Sequence, residues 1–388
     1  MTAPGSRRPV VVVAALLVTT LLVVLSAMVI VPPVSMALLA VSVAAAEYSP
    51  LLALADLLWL LVARRMLRGH RSAQVGAIAL LLIAGAVSLW PLARFNHVAM
   101  NASAQLGTEG DLARYTPLDA FRTPARAGTF SERAIAYRAP NGAPLTMRLY
   151  RGAKAGPRPT VVVIYGGAWR AGDATQGAPL SRALASRGYT VASIDYRHVP
   201  AARFPDQLDD VRLALTMLRD SSIAWGVDTS RIALLGRSAG GHLAELAAWT
   251  TIQPGVRAVV AIYAPFDLVR GYREVPSPDP IGVRAVIADF MGGTPEQQPA
   301  LYRAASPSSF VRPGLPPTLL LYGAADHVVL PDFNRAAAAQ LRAAHVPVIQ
   351  VELPWAEHGF DMAPGGLGAQ LATVVIEDFL AKTFGSSR

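Results

Sequence analysis

The amino-acid sequence predicts an α/β protein: a doubly wound, mostly parallel sheet preceded by a bundle of about three transmembrane helices. Three observations carry this. Long apolar runs crowd the first hundred residues. From about residue 131, short β-rich runs alternate with helical patterns. The composition, 53% hydrophobic and 16% charged over 388 residues, is more apolar and less charged than a typical soluble domain.

The apolar runs come first. Residues 10–31 carry no charge and are long enough to cross ~30 Å of hydrocarbon as a helix. Arg7 and Arg8 precede this run, and Pro32-Pro33 ends it. Residues 41–63 form a second stretch, with Glu47 near one end and Asp56 inside, and residues 74–92 a third. A loop rich in arginine (Arg64, Arg65, Arg68, Arg71) separates the last two. The first hundred residues hold seven arginines against two acids, so the basic excess of this +9 chain sits beside its apolar segments. That distribution reads as a topology signal rather than a nucleic-acid surface.

By the positive-inside rule the N-terminus is cytoplasmic, the loop around Pro32-Pro33 is external, and the arginine loop is internal. Everything after residue 95 is then extracytoplasmic, which predicts a multi-pass protein of the cell membrane. Two competing readings exist. SVAAA, Ser42 to Ala46, could be a signal-peptide cleavage site, although the preceding core is long for one and two further runs follow. The second stretch could instead be re-entrant, since Asp56 is costly at a helix centre unless it finds partners in the bundle.

A polar connector, 96–130, leads to the remainder, 131–388. Its strand candidates begin at Thr160, Thr190, Arg231, Val256, Thr318 and Val346. Nearly continuous apolar runs of this length suit parallel strands buried on both faces. In FPDQLDDVRLALTMLRD, Leu208, Val211, Leu215 and Leu218 recur at helical spacing. Alternating strands and helices imply a doubly wound sheet, whose reactive groups gather at the carboxyl ends of its strands.

One strand end stands out. In RIALLGRSAGGHLAELAAW, Ser238 lies between Gly236 and Gly240, after an apolar strand and before an apolar helix. A strand-to-helix turn that sharp needs small neighbours, and it lifts the serine Oγ to a helix N-terminus, where negative charge is favoured. Ser238 is the candidate nucleophile. It needs a base, and the base an orienting acid. His358, in PWAEHGFD after the last strand, is the candidate base. His345 ends a helix pattern, His327 adjoins the best acid, and His242 lies in the helix after the serine, where packing is the expected role. Asp326, past the strand Thr318–Tyr322, is the candidate acid, with Asp267 as its rival. Asp361 is too close in sequence to His358 to approach it well. YGGAWRAGD follows another strand. Its Gly167 and Ala168, with Ala239, are the candidate oxyanion-hole N–H donors.

These motifs, with IDYR (Ile194 to Arg197), YAPFDL, LLLYGAADHVVLP and HGF, resemble the α/β-hydrolase superfamily. The likeness is to its esterase/lipase branch: hormone-sensitive-lipase-like, feruloyl-esterase-like and kynurenine-formamidase-like enzymes. It covers about residues 131–385 and leaves out the membrane region. The resemblance implies Ser238 as nucleophile, Asp326 as acid, His358 as base, and oxyanion donors from Gly167, Ala168 and Ala239. Two departures stand in the oxyanion loop: Tyr165 where the family usually has His, and Ala168 where it has a third Gly. Arg237, beside the serine, adds a positive charge near the site.

Residues 268–300 are expected to cap the site, with Tyr272, Val283, Val286, Ile287, Phe290 and Met291 as an apolar acyl or alcohol pocket; a plain connecting helix is the alternative. The expected function is a membrane-anchored serine hydrolase acting on small-molecule or lipid carboxylic esters, with no metal or organic cofactor and no nucleic-acid partner. An amidase, formamidase or acyl transferase using the same triad, and a non-catalytic tethered binding protein, are the alternatives. The absence of cysteine excludes a cysteine nucleophile and thiolate metal sites.

Overall fold

Every one of the six apolar runs becomes a parallel strand in the computed structural model, which describes residues 7–108, 115–118, 130–152, 156–251 and 253–385. The strands are β3 (Arg158–Ile164), β4 (Thr190–Ile194), β5 (Val227–Arg237), β6 (Val256–Ile262), β7 (Thr318–Gly323) and β8 (Val348–Leu353). Two further strands, β1 (Phe130–Arg138) and β2 (Pro144–Gly152), pair antiparallel with each other, and β2 pairs antiparallel with β4. The eight-stranded order is β1-β2-β4-β3-β5-β6-β7-β8. The chain runs from β3 to β4 on one side and returns to β5 on the other. The crevice between the ends of β3 and β5 is therefore the topological switch point, where open α/β sheets bind their ligands.

The helices of this layer are α5 (Ala178–Ser186), α6 (Asp206–Asp220), α7 (Ser222–Trp225), α8 (Ala239–Trp249), α9 (Leu268–Arg273), α10 (Val283–Met291), α11 (Pro299–Ala304), α12 (Pro331–Ala343) and α13 (Leu367–Phe384). Helix α6 buries Leu208, Val211, Leu215 and Leu218, the stripe its spacing predicts. Helix α8 is buried on all sides, which its run of Ala, Gly and Leu permits.

The N-terminal region holds α1 (Arg7–Ala27), α2 (Met36–Glu47), α3 (Ser49–Met66) and α4 (Arg71–Leu106). Among the described residues, two helices are long and apolar enough to cross a membrane, or three if the bent pair α2–α3 is one span. The second expected span, 41–63, is not one helix. It breaks between Glu47 and Ser49 with a bend of 78°, because α2 turns aside to pack on the sheet layer. Glu47, fully buried at the bend, accepts the N–H groups of Gly368 at 2.5 Å and Ala369 at 3.3 Å, at the start of α13. Those are donors that a helix N-terminus leaves free. Helices α1, α3 and α4 pack together. Asp56 in α3 accepts the hydroxyls of Ser26 and Ser88, one from each of the other two.

The third run differs as well. Helix α4 does not stop at 92 but continues to Leu106, so the first residues of the expected connector are helical. Phe95, Val98, Ala99, Ala102 and Leu106 join the main hydrophobic core. Gln105 donates to the carbonyl of Gln350 and accepts its N–H, each at 2.9 Å. This side-chain amide stands in for a ninth strand on the open edge at β8. The remaining connector falls largely in 109–114 and 119–129, outside the described residues.

Candidate active site

The elbow is built by exclusion of side chains. At Gly236 a Cβ would lie 2.1 Å from the carbonyl oxygen of Gly240, and at Gly240 one would lie 2.2 Å from that of Ile164. Neither position can carry a methyl, so β5 and α8 approach closely enough for a one-residue turn. Ser238 occupies that turn at φ +50°, ψ −121°, a strained conformation costing about 1–3 kcal/mol. Its N–H donates to the Ile262 carbonyl at 2.9 Å, which ties the turn to β6.

Ser238 Oγ lies 3.0 Å from His358 Nε2, and His358 Nδ1 lies 2.8 Å from Asp326 Oδ2. Asp326 Oδ1 accepts the N–H groups of Val328 at 2.7 Å and Val329 at 2.8 Å, so the carboxylate cannot rotate freely. The imidazole packs on the ring of Tyr263, with centroids 4.4 Å apart. The three predicted side chains thus converge from the ends of β5, β7 and β8. Asp267, the rival acid, is instead the N-cap of α9, accepting the N–H groups of Val269 and Arg270.

Gly167, Ala168 and Ala239 border the cavity walls around Ser238. The N–H of Ala239, first residue of α8, has no acceptor in its own helix. Those of Gly167 and Ala168 have none among the described residues. Ala168 and Trp169 both take positive φ, +54° and +58°, so this loop holds strain beside the serine. Tyr165 supplies an anchor. It is fully buried, stacks on Tyr196, and bonds to Asp195 at 2.5 Å and to His198 Nε2 at 2.8 Å. Burial, then the neighbouring Tyr196 and Asp195, hold its phenol far above the usual range. Burial also lowers His198 below the usual imidazole value. Asp195, Tyr196 and His198 therefore steady the loop that carries Gly167 and Ala168.

Arg237 does border the cavity that holds Ser238 and His358, but its positive charge there is paired. It is 4% exposed and paired with Asp361, whose other oxygen accepts the Tyr263 hydroxyl at 2.5 Å. An ion pair lies beside Ser238, and Asp361 finds Arg237 rather than His358.

Sequence reasoning missed Glu357. Its Oε2 accepts the N–H of His327 at 3.1 Å and of His358 at 3.2 Å, and its Oε1 pairs with His327 Nδ1. One carboxylate thereby clamps the loops that carry Asp326 and His358. The same bond raises His327 above the usual imidazole range, against the opposing pull of burial. The only signal in the sequence was an acid next to the candidate base. Met36 and Leu39 of α2 were missed too: both line the cavity that holds Ser238 and His358. Of the expected pocket residues in 268–300, Val283, Val286 and Ile287 face a cavity at Ser238. Phe290 instead stacks on Trp169, with ring centroids 4.2 Å apart.

A serine at a glycine-flanked elbow, faced by an aspartate-held histidine across the switch point of a mostly parallel sheet, defines an α/β-hydrolase fold. The BD-FAE family model matches residues 147–341, half of the chain, and the protein belongs to that family. The curated relatives include a probable carboxylic ester hydrolase, LipM, of Mycobacterium tuberculosis, 33% identical over 59% of this chain and 55% of its own. Another is the esterase LipC of the same organism, 35% identical over 54% and 55%. The chain spans about half the length of the curated relatives it matches. Among solved structures, a propionate-bound esterase of Thermogutta terrifontis matches with a TM-score of 0.54 at 25% identity, over 64% of this chain and 93% of its own.

Proposed function

We propose that the protein is a membrane-anchored carboxylic ester hydrolase working through Ser238, His358 and Asp326. The observation that carries the reading is the continuous hydrogen-bonded line from Ser238 Oγ through the imidazole to Asp326, at 3.0 and 2.8 Å. Esterase names among the relatives support the reaction class.

The mechanism follows from that line. His358 Nε2 takes the serine proton as Oγ attacks the ester carbonyl. The oxyanion is met by the N–H groups of Gly167, Ala168 and Ala239, fixed in advance by the elbow and by the Tyr165 anchor. Protonated His358, stabilised by Asp326, returns the proton to the departing alkoxide. The C–O bond breaks and the alcohol leaves. Water, deprotonated by His358, then attacks the acyl-serine, releasing the carboxylic acid and restoring the hydroxyl.

In the membrane, α1 and α4 are spans and the bent α2–α3 pair supplies the return pass through its α3 limb, with the arginine-rich turn between α3 and α4 cytoplasmic and the catalytic layer extracytoplasmic. Helix α2 lies at the outer surface. Exchange of Ser238 for alanine tests the chemistry. Ser238→Ala abolishes p-nitrophenyl acetate hydrolysis and fluorophosphonate labelling while thermal unfolding stays within a few degrees. Residual turnover or labelling in that variant refutes the assignment.

A further inference from the structure

Two cavities meet at Ser238, and they differ in size and in what they touch. One, of about 40 Å³, is lined by Ala168, Ala239 and the apolar residues Ile281, Val286, Ile287 and Val329. The other, of about 500 Å³, contains His358 and is walled partly by Met36 and Leu39 of α2. His358 borders the large cavity only. The histidine must hand its proton to the leaving alkoxide, so the alcohol half of a bound ester lies on its side of the serine. The acyl half is left with the small cavity. At about 40 Å³ against about 500 Å³, it offers less than a tenth of the room of the other. It suits the shorter half of the ester, an acyl group of a few carbons. The large cavity falls in the range, about 300–1,000 Å³, that holds a sizeable organic group.

What encloses the large cavity identifies that group. Helix α2 turns Leu39, Ser42, Ala45, Ala46 and Glu47 inward. Its outward residues, Met36, Ala37, Leu38, Ala40, Val41 and Ala44, are all apolar. The loop before it exposes Ile30, Val31 and Val34. An amphipathic helix beside a soluble protein shows water a polar face; this one shows none, as a helix against hydrocarbon does. Met36 is 59% exposed and lines the cavity, so the mouth opens at that apolar surface.

Resting on the hydrolase reading above, we infer that the substrate is a short-acyl ester of a membrane-resident lipid alcohol. The alcohol enters from the bilayer past α2, and the acyl group, acetyl to butyryl, is removed from it. Atoms balance as in ordinary hydrolysis: ester and water become a short carboxylic acid, which leaves to water, and the lipid alcohol, which returns to the membrane.

The test uses the full chain in phosphatidylcholine vesicles and two series of probes. In the acyl series, p-nitrophenyl acetate and butyrate are turned over at least tenfold faster than the octanoate. In the alcohol series, acetate release from hexadecyl acetate embedded in the vesicles exceeds that from ethyl acetate at least tenfold in kcat/KM. Leu39→Trp, which fills the α2 wall, lowers that preference about tenfold. Met36→Trp, at the exposed rim, does so in a position where folding tolerates a large side chain. The inference is overturned by a preference for octanoyl over acetyl esters, by a flat alcohol series, or by an unchanged preference in both variants. If Ser238 also fails to react with a fluorophosphonate, the hydrolase reading itself has failed; if it reacts normally, only the lipid-alcohol inference has.

Discussion

Replacing Asp326 by asparagine tests the wiring of the site while nearly preserving its shape. Aspartate Oδ1 accepts two backbone N–H groups, at 2.7 and 2.8 Å, and Oδ2 faces His358 Nδ1 at 2.8 Å. An asparagine keeps the two backbone bonds through its single carbonyl oxygen, and this turns its NH₂ toward Nδ1. Two donors cannot face each other, so the imidazole adopts the tautomer with Nδ1 bare and Nε2 protonated. Nε2 then cannot accept the serine proton across 3.0 Å. The same exchange in a serine protease triad lowers kcat about 10⁴-fold. At about 1.4 kcal/mol per factor of ten, that is about 5.5 kcal/mol of transition-state stabilisation. The assay is steady-state hydrolysis of p-nitrophenyl acetate by Asp326→Asn, alongside its melting temperature. A fall of about 10⁴ with little change in melting is expected. A variant retaining more than a tenth of the activity would refute the tautomer argument.

Gly240→Ala forces a Cβ to within 2.2 Å of the Ile164 carbonyl oxygen and 2.3 Å of that of Tyr165. Backbone must move, so denaturant unfolding shows a loss of about 3 kcal/mol or more, and activity is lost with the elbow. Glu47→Ala strips the acceptor from the N–H groups of Gly368 and Ala369. It costs about 2–4 kcal/mol, and limited proteolysis in detergent detects the release of α2 as new cleavage between residues 30 and 48. His242 is fully buried, donates through Nε2 to the Ala305 carbonyl, and has no partner at Nδ1 among the described residues. Burial pushes it down from 6.5 to about 4. A lowered histidine stays neutral in the fold while the unfolded chain takes up a proton, so stability falls as pH drops through 6.5 and levels off below 4. At pH 4.5 the loss is about 2.5 kcal/mol relative to neutral pH. The stability gap between wild type and His242→Gln should narrow by that amount between pH 7.5 and 4.5, and a gap independent of pH removes His242 as the cause.

The six parallel strands and the elbow were legible because each has a local cause. Apolar runs bury on both faces wherever a parallel sheet forms, and Gly236 and Gly240 answer a steric demand set by their immediate neighbours. Asp326 and His358 were legible from chain order and from lying just past strand ends. Strands β1 and β2 were not, because an edge pair is half-exposed, as the burial pattern of β1 shows, and lacks the continuous apolar run.

The sequence by itself determined the alternating architecture, the tight turn at Ser238 and the apolar N-terminal run, since these depend on residues a few positions apart. Only the tertiary structure decided that the second apolar stretch bends at Tyr48, that α4 runs on into the catalytic core, that Asp361 neutralises Arg237, and that α2 walls the cavity. Each of these joins residues far apart in the chain: Glu47 to Gly368, Gln105 to Gln350, Arg237 to Asp361. Hydropathy reports how much of a segment avoids water, and both a bilayer and a protein core satisfy it equally. Which of the two receives a given apolar face is settled only when the partner surface is in place.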